Sequence, residues 1–266
     1  MIRKTVPATR RVYILPNLIT TASMACGLLA ILQTMRGDFG DACILILVSG
    51  ILDLLDGKVA RLTGSASSFG LQYDSLSDVV AFGVAPAVLM YSVLTQSFGL
   101  PERVASGVCV PFAICGALRL ARFNVQAAAG EQRGFTGLPI PAAACAMVGL
   151  YFAIDAFGGA TELEPLRAIS KPLRAVSPWV VLALAYLMVS RLNYPSFKHI
   201  PLNLRKSFDA LVGMVLVAGL IIVLRDHFRL IIAAVAYAYV LAGPAIGHLQ
   251  NKRAAAQAAA PLTRDA

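Results

Sequence analysis

The sequence predicts an all-α integral membrane protein with about eight transmembrane helices, and three observations support this fold class. Hydrophobic residues make up 58% of the 266 residues and charged residues only 14%, whereas soluble proteins have about 45–50% and about 25% respectively. The mean hydropathy is +0.73. The apolar residues form continuous runs of spanning length instead of the alternating pattern of a β-barrel. The 5 scattered cysteines and the glycines without a period exclude a disulfide-rich or collagen-like chain.

Each predicted transmembrane segment is an apolar run, because a spanning helix needs about 20 predominantly apolar residues. In chain order the eight segments are approximately Asn17–Met35, Ala42–Val59, Leu71–Thr95, Ala105–Val125, Pro139–Phe157, Pro178–Ser190, Leu211–Leu224 and Leu230–His248. We therefore expect residues 1–251 to form one polytopic membrane domain. The Ala- and Gln-rich residues 252–266 are expected to form a disordered cytoplasmic tail.

Basic residues determine the predicted orientation, because they collect in the cytoplasmic loops of membrane proteins. If the amino terminus is inside, 16 of the 23 lysines and arginines lie on the cytoplasmic side. The other seven are balanced by seven acidic residues on the outside. Both termini are thus predicted to be cytoplasmic. The net charge of +9 indicates attraction to anionic lipid and no binding of nucleic acid.

Four aspartates interrupt the second and third apolar segments. Asp53 and Asp56 are spaced i, i+3, and Asp74 and Asp78 are spaced i, i+4, so each pair lies on one helix face. The small and polar residues 64–68 favour a tight turn that would bring both pairs to one depth. An ionised side chain at the centre of a spanning helix costs about 2.5–3.5 kcal/mol. Four such side chains indicate a functional site.

Two divalent cations would neutralise these four carboxylates. Oxygen ligands without histidine or cysteine favour Mg²⁺ or Mn²⁺ over Zn²⁺, and none of the 3 histidines lies near the aspartates in the sequence. Zinc hydrolysis, phosphohistidine chemistry and a Ser-His-Asp triad are therefore disfavoured. A two-metal site of this kind would bind a pyrophosphate and stabilise charge during displacement at phosphorus.

The aspartates belong to a longer motif of eight specified positions. It reads Asp53-x2-Asp56-Gly57-x2-Ala60-Arg61-x8-Gly70-x3-Asp74-x3-Asp78. This spacing resembles the signature of the CDP-alcohol phosphotransferases, membrane enzymes of phospholipid synthesis. The resemblance extends to residues 16–20, 82–87, 119–124 and 137–141. The later of these segments resemble the phosphatidylserine synthase branch of the family. The similarity covers about residues 14–145. The resemblance implies a six-helix core, here with two further helices, and a homodimer.

The resemblance also implies an activity and roles for the motif residues. The phosphatidyl group of CDP-diacylglycerol would pass to the hydroxyl of L-serine, with release of CMP. Asp53, Asp56 and Asp74 would bind one metal ion, and Asp53, Asp74 and Asp78 the other. Asp78 would in addition be the general base that accepts the serine proton. The residues expected to bind the CDP-lipid are Asn17, Thr20, Gly57, Ala60, Arg61 and Gly70.

L-Serine needs a cation for its carboxylate and an acceptor for its amine. Candidates at the predicted cytoplasmic end of the fourth segment are Arg119, Arg122 and Asn124, with Arg133 beyond them. Arginines at such a helix end also act as topology determinants or contact lipid phosphates. The predicted location is the inner (cytoplasmic) membrane, with the active site on the cytoplasmic side. The expected partners are CDP-diacylglycerol, L-serine, membrane lipids and a second copy of the chain.

Two alternatives stay open from the residues alone. The same chemistry could use glycerol 3-phosphate or an inositol phosphate as acceptor, with Arg119, Arg122 and Arg133 binding the phosphate. In a different class, a cation-coupled transporter could also place aspartates at a helix interface. A transporter would not need Gly57 and Arg61 at these intervals.

Overall fold

The computed structural model describes residues 14–63, 67–128, 136–158, 164–194 and 228–259. Within these ranges the chain forms seven long helices and no strand. The helices are α1 (Ile14–Arg36), α2 (Phe39–Leu62), α3 (Ser68–Ser97), α4 (Glu102–Ala128), α5 (Ile140–Gly158), α6 (Glu164–Val189) and α7 (Phe228–Ala259). The predicted all-α fold class is confirmed.

Five segments of the described part of the chain are long and apolar enough to cross a membrane, so the protein is a multi-pass membrane protein. They are Pro16–Arg36, Ser68–Ser97, Glu102–Gln126, Pro172–Val189 and Arg229–His248. The apolar part of α5, Ile140–Ala156, is shorter. Asp53, Asp56 and Lys58 interrupt the apolar run of α2. The predicted seventh segment, Leu211–Leu224, lies outside the described residues, and the count of eight stays a prediction.

The helices bring the motif residues to one end of the bundle, which we call the site end. It contains the beginnings of α1 and α3 and the ends of α2 and α4. The end of α6 lies there too, because Arg122 near the end of α4 donates a hydrogen bond to the carbonyl oxygen of Val189. Gly137 and Leu138, before α5, in turn donate backbone hydrogen bonds to the carbonyls of Leu192 (2.8 Å) and Leu187 (3.0 Å). Gly137 has φ = 83°, and a Cβ there would collide with the carbonyl oxygen of Met188.

The opposite end of the bundle is held by different contacts. Arg229 at the beginning of α7 forms an ion pair with Asp155 near the end of α5, with 2.6 Å between Nη1 and Oδ2. Arg174 in α6 lies over the ring of Phe98, just beyond α3, at 5.2 Å from its centroid. Thus α6 ends at the site end and α7 begins at the opposite end.

Small residues allow close approach of the helix backbones. A Cβ at Gly27 in α1 would lie 2.7 Å from the Cα of Ala81 in α3, and a Cβ at Gly149 in α5 would lie 2.9 Å from the Cα of Ala233 in α7. Small residues at helix crossings permit such packing in membranes, where lipid tails offer no hydrophobic driving force for association. These crossings position α3 against α1 and α7 against α5.

The helical geometry of α3 changes directly after Asp78. Val79–Val84 is a π-helix, Ala85–Ser92 is α-helical, and Val93–Ser97 is again a π-helix. Pro86 provides a reason for the first change, because proline cannot donate a backbone hydrogen bond and its ring clashes with the carbonyl four residues earlier. Short π segments within α-helices are frequent at functional sites.

Two helices extend beyond the limits of the predicted apolar segments. α6 begins at Glu164, before the predicted start at Pro178, because residues 164–177 contain Leu, Ala, Arg and Lys, which favour helix without making the run apolar. α7 continues to Ala259 and therefore includes residues 252–259 of the expected tail, which are again rich in helix-forming Ala, Gln, Lys and Arg. Residues 260–266 lie outside the described residues.

Candidate active site

The predicted metal-binding aspartates converge at the site end. One carboxylate oxygen from each of Asp53, Asp56 and Asp74 lies within 4.8 Å of the other two. Asp78, one turn further along α3, lies against Asp53, close enough for a hydrogen bond between the two side chains. Adjacent ionised carboxylates repel one another unless a cation is present. The sequence thus predicted the convergence correctly.

The donor set fits divalent metal ions. All of the converging ligand atoms are carboxylate oxygens, and hard oxygen ligands suit Mg²⁺ and Mn²⁺. The Oδ1 atom of Asp74 is buried and has no hydrogen-bond partner among the described residues. A buried carboxylate oxygen is costly without a compensating interaction, and a bound cation would provide one.

Thr20 in α1 is not one of the aspartates but forms a hydrogen bond to one of them. Its Oγ1 lies 2.7 Å from Oδ2 of Asp56 and 3.1 Å from the carbonyl oxygen of Pro16. Ser77 of α3 donates a hydrogen bond of 3.2 Å to the Thr20 carbonyl oxygen. Thr20 is one of the residues predicted to bind the CDP-lipid, but its hydroxyl is engaged by Asp56.

Asn17 and Gly70, two other residues expected to bind the CDP-lipid, lie side by side. A Cβ at Gly70 would be 3.4 Å from Oδ1 of Asn17. Ser67 is the N-cap of α3, and its Oγ accepts a hydrogen bond of 2.9 Å from the Gly70 backbone N–H. Glycine at position 70 therefore permits a close approach of the first turns of α1 and α3, since a Cβ there would also lie only 3.1 Å from Oγ of Ser67. The helix N-termini at this place favour negatively charged groups.

The remaining CDP-lipid candidates lie in the last turns of α2. Gly57 and Ala60 are half-buried and follow Asp56 by one and four residues. Arg61 also belongs to α2, but its side chain is outside the described part of the chain, as is the whole of Arg133.

Arg119 is a serine-binding candidate that interacts with one of the aspartates, Asp78. The residue is only 6% exposed, and its guanidinium interacts electrostatically with Asp78 and with Tyr239 of α7. Its Nε is buried without a hydrogen-bond partner among the described residues. A buried guanidinium requires anionic or acceptor groups around it, so this position is suited to bind an anion beside Asp78.

Arg122 has a structural contact at the same end of the bundle. Its Nη1 donates a hydrogen bond of 3.0 Å to the carbonyl oxygen of Val189, the last residue of α6. The final carbonyls of a helix have no partner within the helix, and Arg122 satisfies one of them. At least one of its nitrogens is therefore used to join α4 to α6.

Asn124 joins α4 to α3. Its Nδ2 donates a hydrogen bond of 2.9 Å to Oγ of Ser75, and Ser75 donates its own proton to the carbonyl of Leu71 at 3.1 Å. Because the Ser75 hydroxyl is used as a donor, it accepts from the amide nitrogen of Asn124. The Oδ1 atom of Asn124 is then left buried without a partner among the described residues, and it is available as an acceptor.

Comparison with known proteins decides the family. The model of the family described as CDP-alcohol phosphatidyltransferase matches residues 13–187. The chain belongs to the CDP-alcohol phosphatidyltransferase family. The matched residues include all four aspartates and α1 to α5 in full, whereas α7 lies beyond them.

Curated relatives of this CDP-alcohol phosphatidyltransferase come from bacteria and archaea. The CDP-diacylglycerol–serine O-phosphatidyltransferase of Helicobacter pylori is 40% identical over 205 residues, which cover 77% of the chain and 81% of the relative. The protein of the same name from Bacillus subtilis is 35% identical over 184 residues, which cover 69% of the chain and 91% of the relative. The archaetidylserine synthase of Methanothermobacter thermautotrophicus is 38% identical over 183 residues, which cover 68% of the chain and 69% of the relative.

Three residues around this family site were not found from the sequence. Ser75 and Ser77 lie within the motif, and polar residues in an apolar segment beside Asp74 and Asp78 are a signal that could have indicated them. Tyr239 had no such signal, because α7 lies beyond the residues that the family model matches. Its place beside Arg119 depends entirely on how α7 packs.

Proposed function

We propose that this protein transfers the phosphatidyl group of CDP-diacylglycerol to L-serine, giving phosphatidylserine and CMP. The observation that carries the proposal is the convergence of the signature aspartates at one end of the bundle. Serine is favoured as the acceptor because the relatives from H. pylori and B. subtilis are named serine O-phosphatidyltransferases and the one from M. thermautotrophicus an archaetidylserine synthase.

The proposed reaction is a displacement at phosphorus. A bond forms between the serine hydroxyl oxygen and the phosphorus attached to diacylglycerol, the bond from this phosphorus to the oxygen of CMP breaks, and the serine proton passes to Asp78. Members of the family generally depend on divalent metals. Two Mg²⁺ or Mn²⁺ ions would supply positive charge for the pyrophosphate and the leaving CMP. Asp53, Asp56 and Asp74 would bind one ion, and Asp53, Asp74 and Asp78 the other.

The two substrates would approach the aspartates from different helices. Asn17, Gly57, Ala60, Arg61 and Gly70 lie on α1, α2 and α3, and we propose that they surround the CDP group. The close approach of Gly70 to Asn17 supports this arrangement, because it brings the first turns of α1 and α3 together.

Serine would lie on the side of α4. Arg119 would bind its carboxylate, because the guanidinium is close to Asp78 and has a buried nitrogen without a partner among the described residues. Asn124 would accept from its ammonium group through Oδ1. Arg122 is the weaker candidate, since it donates to the end of α6.

We further propose that the site end faces the cytoplasm in the inner membrane and that the protein is a homodimer. Basic residues at the ends of α2 and α4 support this orientation. A cysteine in place of the exposed Thr63 should react with an impermeant maleimide only from the cytoplasmic side. Reaction from the outside alone would reverse the orientation, and a monomer mass in detergent would contradict the dimer.

An acceptor panel tests the proposed reaction. Purified protein is mixed with CDP-diacylglycerol and Mn²⁺ or Mg²⁺, and serine, glycerol 3-phosphate or an inositol phosphate is supplied separately. Mass spectrometry of the lipids and measurement of CMP should show product efficiently with serine alone. Product only with a phosphate-bearing alcohol would assign a different acceptor. No CMP with any acceptor, together with cation movement in vesicles that lack nucleotide, would favour a transporter.

A further inference from the structure

We infer that Thr20 is a positioning residue for the metal site. Its hydroxyl holds the carboxylate of Asp56 in the orientation in which it meets Asp53 and Asp74. This inference rests on the proposed function, because it assumes that the aspartates bind divalent metal ions. It gives Thr20 a role different from contact with the CDP-lipid.

The contact between Thr20 and Asp56 is short and protected from solvent. Thr20 is 5% exposed and Asp56 is 4% exposed, and 2.7 Å separates Oγ1 from Oδ2. A threonine hydroxyl has a single proton to donate. The carbonyl of Pro16 is the longer contact, at 3.1 Å, and in α-helical geometry it already accepts from the Thr20 backbone N–H. The proton is therefore best used on the carboxylate, where a charge-assisted hydrogen bond is strong.

Thr20 is itself firmly placed between the two helices that carry the aspartates. Ser77, between Asp74 and Asp78 in α3, donates to its carbonyl oxygen at 3.2 Å. One turn deeper, the hydroxyls of Ser23 and Ser49 lie 2.7 Å apart and join α1 to α2. The branched side chain of threonine also restricts its rotation. α1 thus keeps α2 and α3 in register at the level of the carboxylates.

A fixed carboxylate binds metal better than one that rotates. Hydrogen-bond partners behind a ligand orient it, and loss of such a partner typically lowers metal affinity about 10–100-fold. Asp56 is one of three carboxylates that must point to a common centre. Loss of the Thr20 hydroxyl would allow Asp56 to turn away from the other two.

The adjacent Thr21 provides a matched control. Its Oγ1 lies 2.7 Å from the carbonyl oxygen of Asn17 and 2.9 Å from the hydroxyl of Tyr73, and the residue is exposed. Thr21→Val therefore removes a hydroxyl from the same helix without affecting Asp56. Thr20→Val removes the hydroxyl while keeping the branched shape, and Thr20→Ser keeps the hydroxyl.

The test is the Mn²⁺-dependent rise in Tm of the full-length protein in detergent, without substrates. A ligand that binds only the folded state stabilises it by a free energy that grows with the logarithm of its concentration divided by its Kd. We expect Thr20→Val to lower the apparent Mn²⁺ affinity about 10–100-fold. Thr20→Ser and Thr21→Val should have an apparent Mn²⁺ affinity close to that of the unsubstituted protein. A purely structural role would lower the Tm without metal and leave the Mn²⁺ titration unchanged, which would overturn the inference.

Two further outcomes separate the inference from the proposed function. If Mn²⁺ does not stabilise even the unsubstituted protein, the proposed metal site fails and the inference fails with it. If the unsubstituted protein is stabilised and Thr20→Val binds Mn²⁺ equally well, only the inference fails. Should Thr20→Val not fold, Ser77→Ala serves instead. It loosens Thr20 but retains its hydroxyl, so Mn²⁺ affinity should fall by a smaller factor, and an unchanged affinity would contradict the inference.

Discussion

The two ends of the bundle differ in how their charged side chains are paired. At the end opposite the site end, called the far end below, Asp155 and Arg229 form an ion pair between side chains that are 37% and 55% exposed. At the site end, Asp53, Asp56 and Asp74 converge, and several buried polar atoms there lack a partner among the described residues. An exposed ion pair contributes about 0–1 kcal/mol, whereas buried like charges oppose folding. The site end is therefore built to receive charged ligands.

The largest difference between the two ends should appear in Asp→Asn substitutions. Asp78→Asn should lower the rate of CMP release by about 10²–10⁴-fold, because it removes the proposed general base. Asp155→Asn is the matched control at the far end, where the rate should not change. CMP release at constant serine and CDP-diacylglycerol measures both. Full turnover by Asp78→Asn would remove Asp78 from the role of base.

The arginines of the two ends should differ in their effect on serine binding. Arg119→Lys should raise the KM for serine about 10–100-fold, because hydrogen bonds to charged groups contribute about 1.5–3 kcal/mol and lysine lacks the planar guanidinium. The KM for CDP-diacylglycerol should change less. Arg174→Lys, at the far end over Phe98, should leave both values unchanged. Equal increases for both substrates in Arg119→Lys would argue against a serine-specific contact.

The smallest expected effects concern stability without metal. Asp74→Asn should raise the Tm by about 2–4 °C, corresponding to about 1 kcal/mol of relieved repulsion between carboxylates. Arg229→Gln breaks the exposed pair at the far end and should lower stability by no more than about 1 kcal/mol. Thermal unfolding in EDTA compares the two. A lower Tm for Asp74→Asn would show that the unliganded aspartates do not repel one another strongly.

Much of the site could be predicted because it depends on local regularity. The i, i+3 and i, i+4 spacings determine which aspartates share a helix face, and a short connection between α2 and α3 determines that the two pairs meet. The limits of the fourth apolar segment placed Arg119 and Asn124 near one end of α4, and the structure has this end beside the aspartates. The start of α6 was harder to predict from hydropathy, because residues 164–177 are helical without being apolar.

Other roles depended on contacts between segments that are distant in the chain. Thr20 is a plausible ligand contact in the sequence, but it meets Asp56 only after α1 packs against α2. Arg122 was a serine candidate, yet it donates to Val189 because α6 ends beside it. Tyr239 approaches Arg119 through the packing of α7, which no local pattern encodes.

The sequence by itself determined that this protein is helical, lies in a membrane and collects four aspartates at one depth, because hydropathy and helical periodicity act over a few neighbouring residues. Only the tertiary structure decided which hydroxyl supports Asp56, which arginine lies beside Asp78 and which one is used to join helices. These choices depend on side-chain directions and helix approach to within about an ångström, and a linear pattern contains no such distances.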